Sequence, residues 1–178
     1  KYGVPAIDNV SFDAYSGEIL GIAGIAGSGQ KELLEAIAGL QDSERGSVVY
    51  TAPNGAEPTE LIGKNAQNIR DLGVALSFVP EDRLGMGLVG SMGVAGNMML
   101  RSYRRGHSLL ADRKTPRILA EEVIAELEVA VPDVDTSVKK LSGGNVQKIL
   151  VGREIAANPT VLMMAYAVRG LDINTSYT

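Results

Sequence analysis

The sequence predicts an α/β fold: a mostly parallel sheet with flanking helices, an N-terminal antiparallel β part and a helical insert at about residues 90–140. Three observations carry this. Short apolar runs at Ile19 to Ala23, Leu72 to Val79 and Val161 to Met164 suit buried parallel strands. Segments with helical apolar spacing alternate with them: Lys31 to Leu40, Ile118 to Val129, and the stretch after Ser142. A glycine-rich turn, Gly24-Ile25-Ala26-Gly27-Ser28-Gly29, joins the first run directly to the first helix.

Composition bounds the rest. The 178 residues suffice for a single domain, expected to span 1–178, and 45% apolar residues favour a packed core over disorder. The net charge of −4, without a basic run, makes nucleic acid a poor partner. With no cysteine there are no disulfides and no thiolate metal sites. The one histidine, His107, lies beside Arg104 and Arg105 in a loop and cannot supply a histidine metal cluster. No apolar run approaches the roughly 18–20 residues of a membrane span, and no signal peptide is visible. The chain begins with Lys1 rather than Met and is read as a piece of something longer.

In order along the chain, Ile7, Val10 and Phe12 belong to two short opening strands with a turn at Ser16-Gly17. After the first buried run and its glycine turn, Leu33, Leu34, Ile37 and Ala38 mark one helical face, and Gly39 stands near its stop. Ser47 to Thr51 reads as a strand and Thr51 to Pro58 as a loop, while Leu61 to Leu72 is open between irregular structure and a short helix. The run Leu72 to Val79 ends at Pro80, which cannot donate to a ladder. Residues 84–96 are loop-like, Asn97 to Tyr103 a short helix, and Arg101 to Arg105 a solvated basic face. In Ile118 to Val129, apolar Ile118, Leu119, Val123, Ile124 and Leu127 oppose Glu121, Glu122, Glu126 and Glu128, and Pro132 ends the helix. The helix after Ser142, with Val146, Ile149, Leu150 and Ile155 on one face, stops at Asn158-Pro159.

Two stretches point to anion chemistry. Strand, glycine-rich turn, helix is the context of a phosphate-binding loop, because glycines let backbone N–H groups converge on an anion. The alternative is a tight turn without a ligand. In Leu141-Ser142-Gly143-Gly144-Asn145, Ser142 is a good N-cap, and the glycines leave N–H groups uncovered at the positive end of a helix dipole. The alternative there is a loop that only caps a surface helix.

Taken together, Leu141 to Asn145, the loop Gly24 to Glu32, the segment Val79 to Arg83 and the stretch Val161 to Asp172 resemble, in order and spacing, the ATP-binding-cassette (ABC) ATPases. Pro80-Glu81-Asp82-Arg83 and Arg169-Gly170-Leu171-Asp172 look like the second, C-terminal half of tandem importer ATPases for simple sugars and nucleosides, closer to the nucleoside branch. The resemblance implies a P-loop NTPase-like sheet, ATP and Mg²⁺ as cofactors, and a second nucleotide-binding domain and membrane permease subunits as partners. It also implies a place at the cytoplasmic face of a bacterial-type cell membrane. Nucleotide contacts carry over to Gly24, Ala26, Gly27, Ser28, Gly29, Gln30, Lys31 and Glu32. Tyr2 matches an adenine-stacking aromatic or is simply an exposed tyrosine. Leu141, Ser142, Gly143, Gly144 and Asn145 match the signature that meets the partner's γ-phosphate in trans, with Asn145 where most members carry Gln. Glu81 takes the Q-loop position, and Asp172 matches the D-loop aspartate or is a turn residue.

The chain departs from the working pattern. Gln30 stands at the phosphate-loop lysine position and Lys31 at the Ser/Thr position that would hold Mg²⁺. Ala165 and Tyr166 stand where the family carries Asp then Glu, and the switch histidine would lie beyond Asp172. Losing the charge-assisted bond of the lysine, about 1.5–3 kcal/mol, weakens nucleotide binding roughly ten- to a hundredfold. Losing a general base costs about 10²–10⁴ in rate. The expectation is therefore a degenerate own site, weak in ATP and in Mg²⁺, with no catalytic residue of its own and an intact signature. A docking module without nucleotide contact is the alternative, and a soluble ABC protein without a permease a weaker one.

Overall fold

The structure, a computed structural model, describes residues 5–53, 55–102 and 112–166. It divides into two compact units, Lys1–Leu76 and Ser77–Thr178.

In the first unit, helix α1 (Gln30–Ile37) follows the glycine turn. Its N-cap Gly29 has φ 95°, left-handed backbone that a residue with a side chain rarely adopts. A Cβ there would also collide with the Ala6 carbonyl oxygen. Strands β1 (Val49–Tyr50) and β2 (Thr59–Glu60) pair antiparallel, with Val49 opposite Glu60 and Tyr50 opposite Thr59. The Glu60 carboxylate accepts from Ser47 Oγ, from the Val48 N–H at 2.8 Å and from the Ile62 N–H at 2.9 Å. These bonds, the serine first, favour its charged form and bring its pKa down to about 2. The region 61–72, open from sequence, contains helix α2 (Ala66–Asp71), capped by the Asn65 side chain accepting from the Asn68 N–H. Leu61, Ile69 and Val74 form this unit's small buried cluster.

In the second unit, which holds all of β3 (Leu76–Val79) but its first residue, β3 lies beside β4 (Val161–Met164), and the Ala165 N–H donates to the Val79 carbonyl at 2.8 Å. A single π-helical turn, Arg83–Gly87, follows β3, closed by the Asp82 carboxylate accepting from the Gly85 N–H. Helices α3 (Val94–Ser102), α4 (Lys114–Glu126) and α5 (Gly143–Ala156) surround a core that includes Val79, Met98, Val123, Val138, Ile149 and Leu150. Each such side chain contributes about 1.5–3 kcal/mol on full burial. Buried Asn97 fixes the loop before α3: its Oδ1 accepts from the Val89 N–H at 2.8 Å and its Nδ2 donates to the Gly93 carbonyl at 3.0 Å.

Several expected elements differ. Residues 5–28 contain neither the opening strands nor the strand Ile19 to Ala23, and Ile19 is 98% exposed. A parallel strand is held by neighbours on both edges, and among the described residues none pairs with this run. The antiparallel pair of this unit lies instead at 49–60. Helix α3 begins at Val94, earlier than the sequence suggests, and α4 ends well before Pro132, where Glu128 turns left-handed at φ 49°. Ile118 and Ile155 are exposed, on the outer faces of α4 and α5. Arg101 is not a solvated cation: it bonds Glu154 at 2.6 Å and Ser77 Oγ at 2.8 Å. Arg104, Arg105 and His107 lie outside the described residues.

Candidate functional site

In the first unit, the candidate phosphate loop, Gly24 to Glu32, is exposed from Gly24 to Ser28 and buried at Gly29, where it enters α1. Gly27 and Gly29 are left-handed, at φ 84° and 95°, and the Ser28 N–H closes a turn onto the Ile25 carbonyl at 3.2 Å. Ala26 and Ser28 are exposed. The Gln30 side chain folds back against Gly24: a Cβ added at Gly24 would collide with Nε2 and lie 2.9 Å from Cδ. Its amide therefore reaches over the loop and offers a neutral N–H donor where a lysine would offer a charge. Lys31 points along the helix instead, its Nζ 3.8 Å from Glu35 Oε1. An ammonium has no lone pair for a cation. Glu32 adds a negative charge in the first turn of α1, which disfavours an anion there.

In the second unit, Ser142 caps α5 as its sequence predicts, with φ −64° and ψ 157° and its Oγ accepting from the Asn145 N–H at 3.4 Å. Leu141 is partly buried against the core, which anchors the loop, while Gly143 and Gly144 open the first turn. The Asn145 side chain makes two bonds: Nδ2 donates to Ser142 Oγ at 3.0 Å, and Oδ1 accepts from the Ala130 N–H at 3.0 Å. Sequence reasoning missed a further contact: the Arg83 guanidinium donates to the Gly143 carbonyl at 3.1 Å. This brings the Pro80 to Arg83 segment, with Glu81 in it, onto the start of the signature helix. Only the arginine itself, in a string singled out for other reasons, hinted at it.

The other end of α5 is held as firmly. Glu154, 2% exposed, accepts from Arg101 at 2.6 Å and from Arg153 Nε at 2.9 Å, and Arg153 also donates to the Gly87 carbonyl at 2.8 Å. Ser77 Oγ donates to the Glu154 carbonyl at 3.0 Å. Helix α5 is thereby tied to α3, β3 and the π turn.

At the end of β4, Ala165 is buried and has no ligand atom, and Tyr166 is exposed with φ 52°. Neither supplies a carboxylate, and among the described residues no group of three or more His, Asp or Glu could hold a metal ion. The donors at the two loops suit a phosphate better than a divalent cation, with the Glu32 charge opposing an anion at the first of them. Tyr2 and Asp172 lie outside the described residues. Among the described residues no helix is long and apolar enough to cross a membrane.

Comparison with known proteins agrees with this architecture. The ABC transporter family model matches residues 7–164. The guanosine import ATP-binding protein NupO of Bacillus subtilis is 35% identical over 177 residues, 96% of this chain and 32% of that protein. The glucose import ATP-binding protein TsgD13 of Haloferax volcanii is 36% identical, over 96% of this chain and 30% of its own length. The ribose import ATP-binding protein RbsA 1 of Rubrobacter xylanophilus is 37% identical, over 93% of this chain and 32% of its own length. The chain thus spans about a third of the length of these relatives. Among solved structures, the ATP-binding cassette MJ0796, a dimer bound to ADP and Pi, superposes with a TM-score of 0.76 at 22% identity, over 97% of this chain and 70% of that one. The chain belongs to the ABC transporter family, with the α/β fold of its ATP-binding cassette.

Proposed function

We propose that the chain is a single cassette with a helical insert, the second nucleotide-binding half of a tandem ATPase that drives import of a simple sugar or nucleoside. It works at the cytoplasmic face of the cell membrane with permease subunits and another nucleotide-binding domain. Its own phosphate loop binds ATP weakly and is indifferent to Mg²⁺, and its signature completes the partner's site. The import names of the relatives support the transport role. The dimeric cassette similar in fold supports pairing with a second domain.

One contrast carries the reading. Ser142 and the first turn of α5 are built and capped as an anion-facing helix start. The phosphate loop has a neutral Gln30 and a Lys31 turned toward Glu35. The test places the chain in tandem with a nucleotide-binding domain that carries the complete phosphate-loop lysine and carboxylates. Ser142→Arg is expected to abolish turnover of that pair, because a bulky cation would fill the space of the γ-phosphate. Unchanged turnover and transport would refute the trans role and favour a docking module.

A further inference from the structure

We propose that Asn145 is a positioning residue whose side-chain amide presets the Ser142 hydroxyl as a pure hydrogen-bond donor for phosphate. This deepens the trans role proposed above and rests on it.

The argument is one of donors and acceptors. The Ala130 N–H, 3.0 Å from Asn145 Oδ1, can only donate, so the amide oxygen must face it. That orientation turns Nδ2, a donor without a lone pair to offer, toward Ser142 Oγ at 3.0 Å. The hydroxyl must therefore accept. The Asn145 backbone N–H, at 3.4 Å, takes the second acceptor position. A serine hydroxyl has two acceptor sites and one proton. With both acceptor sites engaged, the proton is all it can offer outward, and among the described residues nothing accepts it. Phosphate oxygens only accept, so this polarity matches them, and a donor fixed in advance needs no reorganisation when the anion arrives.

The length of the side chain matters. A Gln or Glu three residues after an N-cap serine typically reaches back to the serine's backbone N–H. The shorter Asn145 instead bonds the hydroxyl itself. It also links the signature to the chain after α4 through Ala130. A shift of that segment would be felt at the Ser142 proton.

The experiment uses the same tandem pair and reads the Mg-ATP concentration at half-maximal closure, by energy transfer between dyes on the two halves. Asn145→Leu removes both side-chain bonds at similar volume. Asn145→Asp keeps the bond from Ala130 but replaces Nδ2 by an acceptor, so the hydroxyl proton turns inward. Each is crossed with Ser142→Ala. Ser142→Ala is expected to raise the half-maximal concentration about 10–100-fold, the loss of a hydrogen bond to a charged group. Asn145→Leu is expected to raise it several-fold alone and less than twofold in the Ser142→Ala background, since residues acting through one another are not additive. Asn145→Asp is expected to exceed Asn145→Leu alone, with most of its effect also lost in that background. Equal effects of Asn145→Leu with and without the serine would overturn the proposal, as would no effect where Ser142→Ala has one. No effect of Ser142→Ala itself would instead remove the trans role beneath it.

Discussion

Glu154→Gln should be the most destabilising conservative change in the second unit. Glu154 is 2% exposed and is the shared counter-ion of two cations, Arg101 at 2.6 Å and Arg153 at 2.8 Å. The substitution keeps shape and the backbone bond from Ser77 but removes the counter-charge. The Arg101 side chain, 29% exposed, can swing toward water, whereas Arg153, at 8%, is left charged and buried with only neutral acceptors, the new amide oxygen and the Gly87 carbonyl. Breaking a buried pair from one side costs about 3–5 kcal/mol, and one arginine escaping to solvent places this case near the lower end. With a urea slope of about 2 kcal/mol/M, the unfolding midpoint should fall by roughly 1.5 M. Arg101→Met, which leaves the Glu154–Arg153 pair intact, should cost clearly less. Circular dichroism in urea measures both. A shift below about 0.3 M for Glu154→Gln would refute the claim that this cluster holds α5.

Other outcomes follow from single contacts. Gly152→Ala would set a Cβ 2.5 Å from Val123 Cγ1 and 3.0 Å from Leu127 Cδ1. Overpacking of about 1–3 kcal/mol, less ~1 kcal/mol of gained helix propensity, should leave a net loss of up to about 2 kcal/mol by thermal unfolding. The Glu60 pKa is lowered to about 2, so its contribution is complete above the unfolded value near 4.5 and lost as pH falls through the folded one. The β1–β2 segment should therefore lose amide protection between about pH 4.5 and 2, and Glu60→Gln should flatten that profile; a protection profile unaffected by the substitution would contradict it. Gln30→Lys combined with Lys31→Ser should tighten ATP binding by calorimetry roughly ten- to a hundredfold, and an unchanged affinity would mean that the loop is weak for another reason.

Much of this was legible in the residues. Ser142 predicts its own cap because its hydroxyl competes for the N–H three residues on, and Val146, Ile149 and Leu150 predict the buried face of α5. Ile155 did not follow, because in the last turn the buried face passes through Arg153 and Glu154, seven and eight residues after Val146, and Ile155 lies off it. Ile19 to Ala23 reads as a buried strand by composition, but a strand exists only with partners, and partners are a tertiary fact. Arg101 looked solvated among other arginines; its acceptors, Ser77 and Glu154, are 24 and 53 residues away. At the candidate site, the glycines and Ser142 were visible as types, while the Asn145 and Arg83 contacts depend on where Ala130 and Gly143 come to rest.

The most direct test of the central claim is an equilibrium titration of this chain with ATP, with and without Mg²⁺. The account predicts weak binding that Mg²⁺ does not change, since Lys31 and Ala165 offer a cation nothing. Tight, Mg²⁺-dependent binding would contradict it and make this chain's own loop a complete nucleotide-binding site.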